Sequence, residues 1–255
     1  MIVRRPSGSK IGMFLECRGP ALLPWGPDSV SDVAAKGTRI HAALERFYLG
    51  ARVEDIRHML REGDAGDLEI LCKAAPAIVP IHGLPLVEVE CWYDPVTQDA
   101  ILGVPGDLPP DGYWRGRTDL LGTVDQSDGL YFGVVDHKTG NPFFQTPPRS
   151  SAQIAYFGVW LKRHVARYLK SMRPELLVQG QVFLTQKHEV VTHTWHPEEL
   201  NEWAETFAEL ELDLRAYESG AKTLDQLVLT PSQKTCQWCP VSGCSQRYQK
   251  ARKTA

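Results

Sequence analysis

A mixed sheet flanked by helices, an α/β or α+β fold, is what this sequence predicts, on three observations. Helix-like and β-rich segments follow one another in the order helix, strands, helix, strands, helix. The 255 residues are 43% hydrophobic and 23% charged, enough apolar sequence for a sizeable core in one domain. No stretch approaches the ~18 uninterrupted apolar residues of a membrane span, and the start MIVRRPSGSK has no apolar run behind its basic residues. A membrane role is thus excluded from the expectations, and the cytoplasm is the default compartment. The formal net charge of −3 offers no general attraction for a polyanion, so any nucleic acid has to be held by a local patch.

Taken in order, residues 31–48 read as a helix with Ser31 and Asp32 at its entry and Ile40, Leu44 and Phe47 at helical spacing; His41 and Glu45 lie one turn apart on a neighbouring face. Val53 to Lys73 continues as helix with a break near Gly63 to Gly66, which makes 31–80 a helical N-terminal part. Leu86 to Tyr93 has the β-branched and aromatic content of a strand and opens the sheet-bearing core expected over 84–225. Gly103 to Gly116, with three prolines and four glycines, has loop composition. Thr118 to Val124 and Leu130 to Val135 read as two strands around the turn Asp125-Gln-Ser-Asp-Gly129. A helix over Ser150 to Lys170 follows despite Gly158, then a hairpin of Gln181–Thr185 and Val190–Trp195. A Glu-rich helix after Pro197 ends at Gly220.

The central hairpin carries the chemistry. If it closes about the bond between Ser127 and Asp128, opposed residues have numbers that sum to 255, and Asp119 faces Asp136. Opposed residues share a face with Cβ atoms ~5 Å apart, and alternation adds Lys138 to that face. Like charges so close repel unless a cation bridges them, which points to an Mg²⁺ or Mn²⁺ site with a lysine beside it. Such a site suits phosphodiester hydrolysis. Asp125, six residues of strand from Asp119, is read as a turn residue. Glu88 and Glu90 on the preceding strand are either a further carboxylate or the polar side of a half-exposed strand.

Gly116-Arg-Thr-Asp119, followed after sixteen residues by Asp136-His-Lys138-Thr-Gly140, resembles the second and third motifs of the PD-(D/E)XK nuclease superfamily in its RecB-like branch. Gly37-Thr-Arg-Ile-His41-Ala-Ala-Leu-Glu45 resembles the first motif, and Gln153-Ile-Ala-Tyr156-Phe157 is a partial counterpart of the fourth, with the tyrosine one position early. His137 stands where an aromatic residue is common. The resemblance implies that His41, Asp119 and Asp136 hold the divalent metal, that Lys138 is the catalytic lysine and that Gln153 positions DNA or Lys138. It implies a PD-(D/E)XK restriction-endonuclease-like core and a metal-dependent DNA exonuclease acting on single-stranded DNA or DNA ends. The imidazole tilts the metal preference toward Mn²⁺.

Cys236-x2-Cys239-x4-Cys244 gathers three of the six cysteines near the C-terminus, too few for a disulfide scaffold and metal-like in spacing. A tetrahedral site needs a fourth, and Cys17, Cys72 and Cys91 are available; Cys72 and Cys91 sit in apolar contexts where cysteine acts as a small hydrophobe. Cys17 ends a segment similar to the one that precedes the first cluster cysteine in iron-sulfur members of the RecB-like family. That resemblance implies a [4Fe-4S] cluster on Cys17, Cys236, Cys239 and Cys244 that joins 1–30 to 230–250. Four cysteines also suit Zn²⁺.

For the nucleic acid, Lys162, Arg163 and Arg167, with Lys170 and Arg173 beyond them, form a basic run with no acid among them, and Arg247, Lys250, Arg252 and Lys253 follow Cys244. Tyr113, Trp114, Arg115 and Arg117 precede Asp119, where an aromatic can stack on a base. Arg117 and Tyr156 complete the expected DNA contacts. No G-x4-G-K-[ST] loop occurs, so a helicase would be a partner, as would CRISPR or recombination proteins in the family's settings. A non-cleaving DNA-binding subunit is the rival reading, and intact Asp119, Asp136 and Lys138 argue against it.

Overall fold

The computed structural model describes residues 3–26, 32–73, 78–79, 86–126, 129–139, 146–168, 178–184, 189–227, 236, 239–242 and 244. Two short helices come first, α1 (Ile11–Glu16) and α2 (Gly19–Leu22), α1 continuing a 3-10 turn over Gly8–Lys10. A helical lobe follows, α3 (Asp32–Tyr48), α4 (Val53–Ile56) and α5 (Ala65–Lys73), the break falling between Met59 and Ala65. The strands are β1 (Ile78–Val79), β2 (Leu86–Asp94), β3 (Asp99–Leu102), β4 (Trp114–Gln126), β5 (Gly129–Lys138), β6 (Val178–Leu184) and β7 (Glu189–Trp195); α6 (Ala152–Tyr168) joins β5 to β6, and α7 (Pro197–Glu218) follows β7.

The strands form one sheet in the order β3-β2-β4-β5-β6-β7, with β1 against the end of β4 that β2 does not reach. The sheet is mixed, as expected: β5 and β6 run parallel, joined through α6 by the kind of crossover that a parallel pair requires, and the other pairs are antiparallel. The β4–β5 register runs from Leu120 opposite Val135 to Gln126 opposite Gly129, every pair obeying the expected sum. Asp125, expected in the turn, instead pairs with Leu130 inside the ladder. Ser127 and Asp128 lie outside the described residues, as do Lys170, Arg173 and the tail from Arg247 onward.

Among the described residues two separate apolar clusters form. The larger packs α6 and α7 on the sheet, with Tyr93, Trp114, Leu121, Val134, Tyr156, Trp160, Trp195 and Phe207 at its centre, and draws in Ile11, Phe14 and Leu22 from the N-terminal helices. Close approach of β4 to α6 needs Gly116, because a Cβ there would run into the Tyr156 and Phe157 rings. The smaller cluster belongs to the helical lobe alone: Ile40, Ala43, Leu44, Ile56 and Leu68. The lobe reaches the strand end through Gly37, where a Cβ would lie 3.3 Å from Thr139 Oγ1.

The chain ends are tied to this body. Arg5 reaches Glu211 of α7 at 2.9 Å, and the fully buried Glu211 also accepts from Trp114 Nε1 at 2.8 Å. Trp25 and Val241 form an isolated antiparallel bridge, with Gly26 N donating to Pro240 O and Ser242 N to Pro24 O. Among the described residues, no helix is long and apolar enough to cross a membrane.

Candidate active site

Beyond Leu120 and Val135 the two hairpin strands part. β4 keeps pairing with β2 as far as Trp114, while β5 keeps pairing with β6 through Lys138, so a fork opens with Asp119 on one prong and Asp136 on the other. Alternation puts Asp136 and Lys138 on the α6 face of β5 with Val134, and His137 on the opposite face against the helical lobe.

Asp119 is held on both oxygens. Its Oδ1 lies 3.0 Å from Nδ1 of His41, and its Oδ2 accepts from the backbone N–H of His137 at 2.6 Å. The other ring nitrogen of His41 is 3.0 Å from the carbonyl oxygen of His137. Both neighbours are acceptors, so both nitrogens must donate, and the ring is an imidazolium in the metal-free protein. Burial opposes that charge, but the Asp119 hydrogen bond and the nearby charges of Asp119, Asp136 and Glu88 outweigh it and raise the His41 pKa to about 9. Asp119 correspondingly stays ionised: its pKa falls despite burial, because of His41.

Asp136 has a different environment. Its Oδ1 accepts from Gln153 Nε2 at 3.1 Å, and Gln153 Oε1 accepts from Lys138 Nζ at 3.0 Å. Its Oδ2 is buried and forms an ion pair with Lys138 Nζ at 2.7 Å. Burial, aided by Asp119, raises the Asp136 pKa although Lys138 opposes it. The Lys138 pKa is raised in spite of burial by Asp136 and Asp119, so the ammonium keeps its proton.

Glu88 is the residue that sequence reasoning left undecided. Val87 faces Leu120 and Val89 faces Thr118, which sets Glu88 across from Asp119, at a φ of +50° that non-glycine residues rarely adopt. The turned-out carboxylate meets Arg117 at 2.6 Å. His41, Glu88 and Asp119 each offer a donor atom within 4.8 Å of the others, the set of this kind found among the described residues. Burial and the Asp119 charge raise the Glu88 pKa to about 7 against the pull of Arg117 and His41.

Tyr48 was missed altogether. It lies seven residues after His41, two turns along the same face of α3, a spacing that was open to reading. Its hydroxyl is 2.9 Å from His137 Nε2 and its ring stacks on the imidazole with centroids 5.7 Å apart. Burial depresses the His137 pKa to about 4, so this second histidine is neutral.

The expected DNA contacts separate. Arg117 stands at the site, half-exposed, in the wall of a cavity of about 350 Å³ also lined by Ser7, Ser9, Arg115 and Gln153. Tyr156 is not a contact but core: it is fully buried, with its hydroxyl bonded to the carbonyls of Cys91 and Trp114. Trp114 is likewise core. Lys162 bonds Pro197 O and Asn201 Oδ1, Arg163 bonds Asn201, and Arg167 pairs with Asp99. These three lie about 14–21 Å further along α6 than Gln153, engaged with α7 and β3 rather than with the fork.

None of the six cysteines forms a disulfide. Cys91 is buried in the core and Cys72 packs on the lobe cluster. Cys17, Cys236, Cys239 and Cys244 are all half-buried, and the segments after Cys17 and around Cys239 meet at the Trp25–Val241 bridge.

Residues 18–244 match the sequence pattern of the PD-(D/E)XK nuclease superfamily. The chain belongs to that superfamily. Its fold is the mixed α/β arrangement consistent with a PD-(D/E)XK nuclease, which implies DNA as substrate and a divalent metal such as Mg²⁺ or Mn²⁺. No curated protein matches the sequence. The donor set fits such an ion: an imidazole nitrogen of His41 and carboxylate oxygens of Glu88 and Asp119 make a hard, nitrogen-containing site, and Asp136, expected among the ligands, lies outside that set and pairs with Lys138 beside it.

Proposed function

We propose that this PD-(D/E)XK nuclease is a DNA exonuclease that hydrolyses phosphodiester bonds of single strands, with Mn²⁺ or Mg²⁺ at His41, Asp119 and Asp136 and a structural [4Fe-4S] cluster at Cys17, Cys236, Cys239 and Cys244. The observation that carries the reading is the chain of contacts Asp136–Gln153–Lys138 facing the His41–Asp119 pair across the fork. The bound cation would supply a polarised phosphoryl oxygen and a water of lowered pKa.

The protein's own groups do the rest. Lys138 stays charged, so it acts as an electrostatic partner for the negative charge that builds on the phosphoryl group, not as a base. Gln153 fixes the lysine through Oε1 and Asp136 through Nε2, the positioning role rather than the DNA-holding one. Tyr48 and the neutral His137 brace the strand whose backbone N–H and carbonyl hold Asp119 and His41. The cavity beside Gln153 has room on the scale of a nucleotide and not of a duplex, which supports a single strand as substrate. The cluster reading is supported by four half-buried thiols on two chain ends that meet.

The test is anaerobic purification followed by Mn²⁺-dependent degradation of end-labelled linear and of circular single-stranded DNA by wild type, Asp136→Ala and Lys138→Ala. Loss of linear-strand degradation in both variants, with circles spared, is the expected result. Cleavage that survives both substitutions overturns the site, and iron-free, zinc-bearing active protein overturns the cluster alone.

A further inference from the structure

The position of Glu88 is costly unless the site uses it. A glutamate on a strand ordinarily keeps β conformation, yet this one takes the left-handed region at the one ladder position facing Asp119. The turn brings its carboxylate within 4.8 Å of the donor atoms of both His41 and Asp119 and shields it to 14% exposure. Its cation is Arg117 at 2.6 Å, whose own side chain is 54% exposed and lines the cavity that Gln153 shares with the active site. One carboxylate therefore stands between two claimants: a metal ion beside His41 and Asp119, and the arginine that faces the substrate cavity.

We infer that Glu88 is a further metal ligand that changes partner, pairing with Arg117 in the metal-free protein and joining His41 and Asp119 when the ion binds, which releases Arg117 to hold a phosphate of the nucleic acid in the adjoining cavity. The inference rests on the nuclease reading for the identity of the phosphate. Its metal half rests on this chain's donor atoms alone. Metal then precedes DNA: before the ion arrives, the arginine is neutralised by its own glutamate, and afterwards the cavity wall carries an uncompensated positive charge. The neighbouring Arg115 does not share this behaviour, because Glu90, which is not among the candidate metal donors, holds it through two bonds of 2.7 and 2.9 Å.

Three full-length proteins test this in a Lys138→Ala background that keeps DNA intact: the parent, Glu88→Gln and Arg117→Gln, with circular dichroism confirming the fold of each. Mn²⁺ binding is read by the loss of free-ion paramagnetic resonance, and DNA binding by anisotropy of a labelled single-stranded oligonucleotide with and without Mn²⁺. Glu88→Gln is expected to weaken Mn²⁺ binding on the order of 10–100-fold. Arg117→Gln leaves it unchanged or tightens it, since the competing cation is gone. Without Mn²⁺, Glu88→Gln binds the oligonucleotide more tightly than the parent, and Arg117→Gln shows a smaller Mn²⁺-linked gain in DNA affinity. Equal loss of Mn²⁺ binding in the two variants means the pair is merely structural and overturns the inference, as does parent-like Mn²⁺ binding by Glu88→Gln. The expected Mn²⁺ pattern with no DNA binding in any protein overturns the nuclease reading and upholds Glu88 as a ligand.

Discussion

Asp119 and Asp136 stand on the two prongs of the fork, and their surroundings push them apart in character. Asp119 is stabilised as an anion by His41 and the His137 N–H, whereas burial makes Asp136 reluctant to ionise. Asp119→Asn should therefore destabilise the metal-free protein by about 2 kcal/mol, the scale of a lost charged hydrogen bond. Asp136→Asn should lower the melting temperature as well, because it strands the buried Lys138 ammonium, and adding Lys138→Met should recover part of that loss; both single variants lose cleavage, and thermal melts in a chelator check the order. His41 supplies the pH dependence. Its folded pKa of about 9 exceeds the usual 6.5, so its contribution is complete below pH ~6.5 and is lost as the pH rises through 9. Metal-free protein should become less stable over that window, and calorimetry in buffers of different ionisation enthalpy should show proton release on Mn²⁺ binding, with affinity rising with pH.

At the scale of elements, the helical lobe is the weak partner. α3 carries His41 and Tyr48 to the sheet, but its apolar residues pack within the lobe rather than into the main core. Leu44→Ala should cost about 2–5 kcal/mol of lobe stability. It should raise amide exchange over 32–73 and weaken Mn²⁺ binding while exchange in β4, β5 and α6 stays slow. The central hairpin was legible in the sequence because turn residues fixed where it closes and β-rich flanks fixed its face, and residue numbers alone gave its register; the expected pairing of Asp119 with Asp136 was not met, because the strands part after Leu120 and Val135 to join β2 and β6. Glu88 was not legible: its role depends on the β2–β4 register and on a left-handed backbone that no local pattern announces. The run Lys162, Arg163, Arg167 misled for a related reason, since charge content does not reveal that Asn201 and Asp99 wait across from it. Tyr156 fell within a polar motif, yet a ring that fits over Gly116 gains more from burial than from reaching solvent.

Over the whole molecule, contacts of long sequence span tie the segments at Arg5 and Trp25 to Glu211 and Val241. A metal at Cys17, Cys236, Cys239 and Cys244 would reinforce the Pro24–Gly26 and Pro240–Ser242 contacts. Cys239→Ser should accelerate proteolysis at both ends together and remove bound iron or zinc, while Mn²⁺ affinity at the fork falls far less; limited proteolysis with metal analysis separates these outcomes. The partition of the described residues into two apolar clusters did not follow from the sequence, because periodicity marks which face of a helix is buried and not against what.

The distribution of those contacts also sets a timetable. The lobe closes within 32–73, whereas Arg5 waits for Glu211 and Trp25 for Val241, pairings that span some 200 residues. Short-range contacts form early and long-range ones late. His41 should thus be folded before the main core exists to receive it, and a refolding chain should show lobe protection first in pulsed hydrogen exchange, with Mn²⁺ binding following protection of β4 and β5. A chain still being made would hold one part of the proposed site and lack the rest: His41 stands ready in the lobe before β4 and β5 have brought Asp119, Asp136 and Lys138 to meet it.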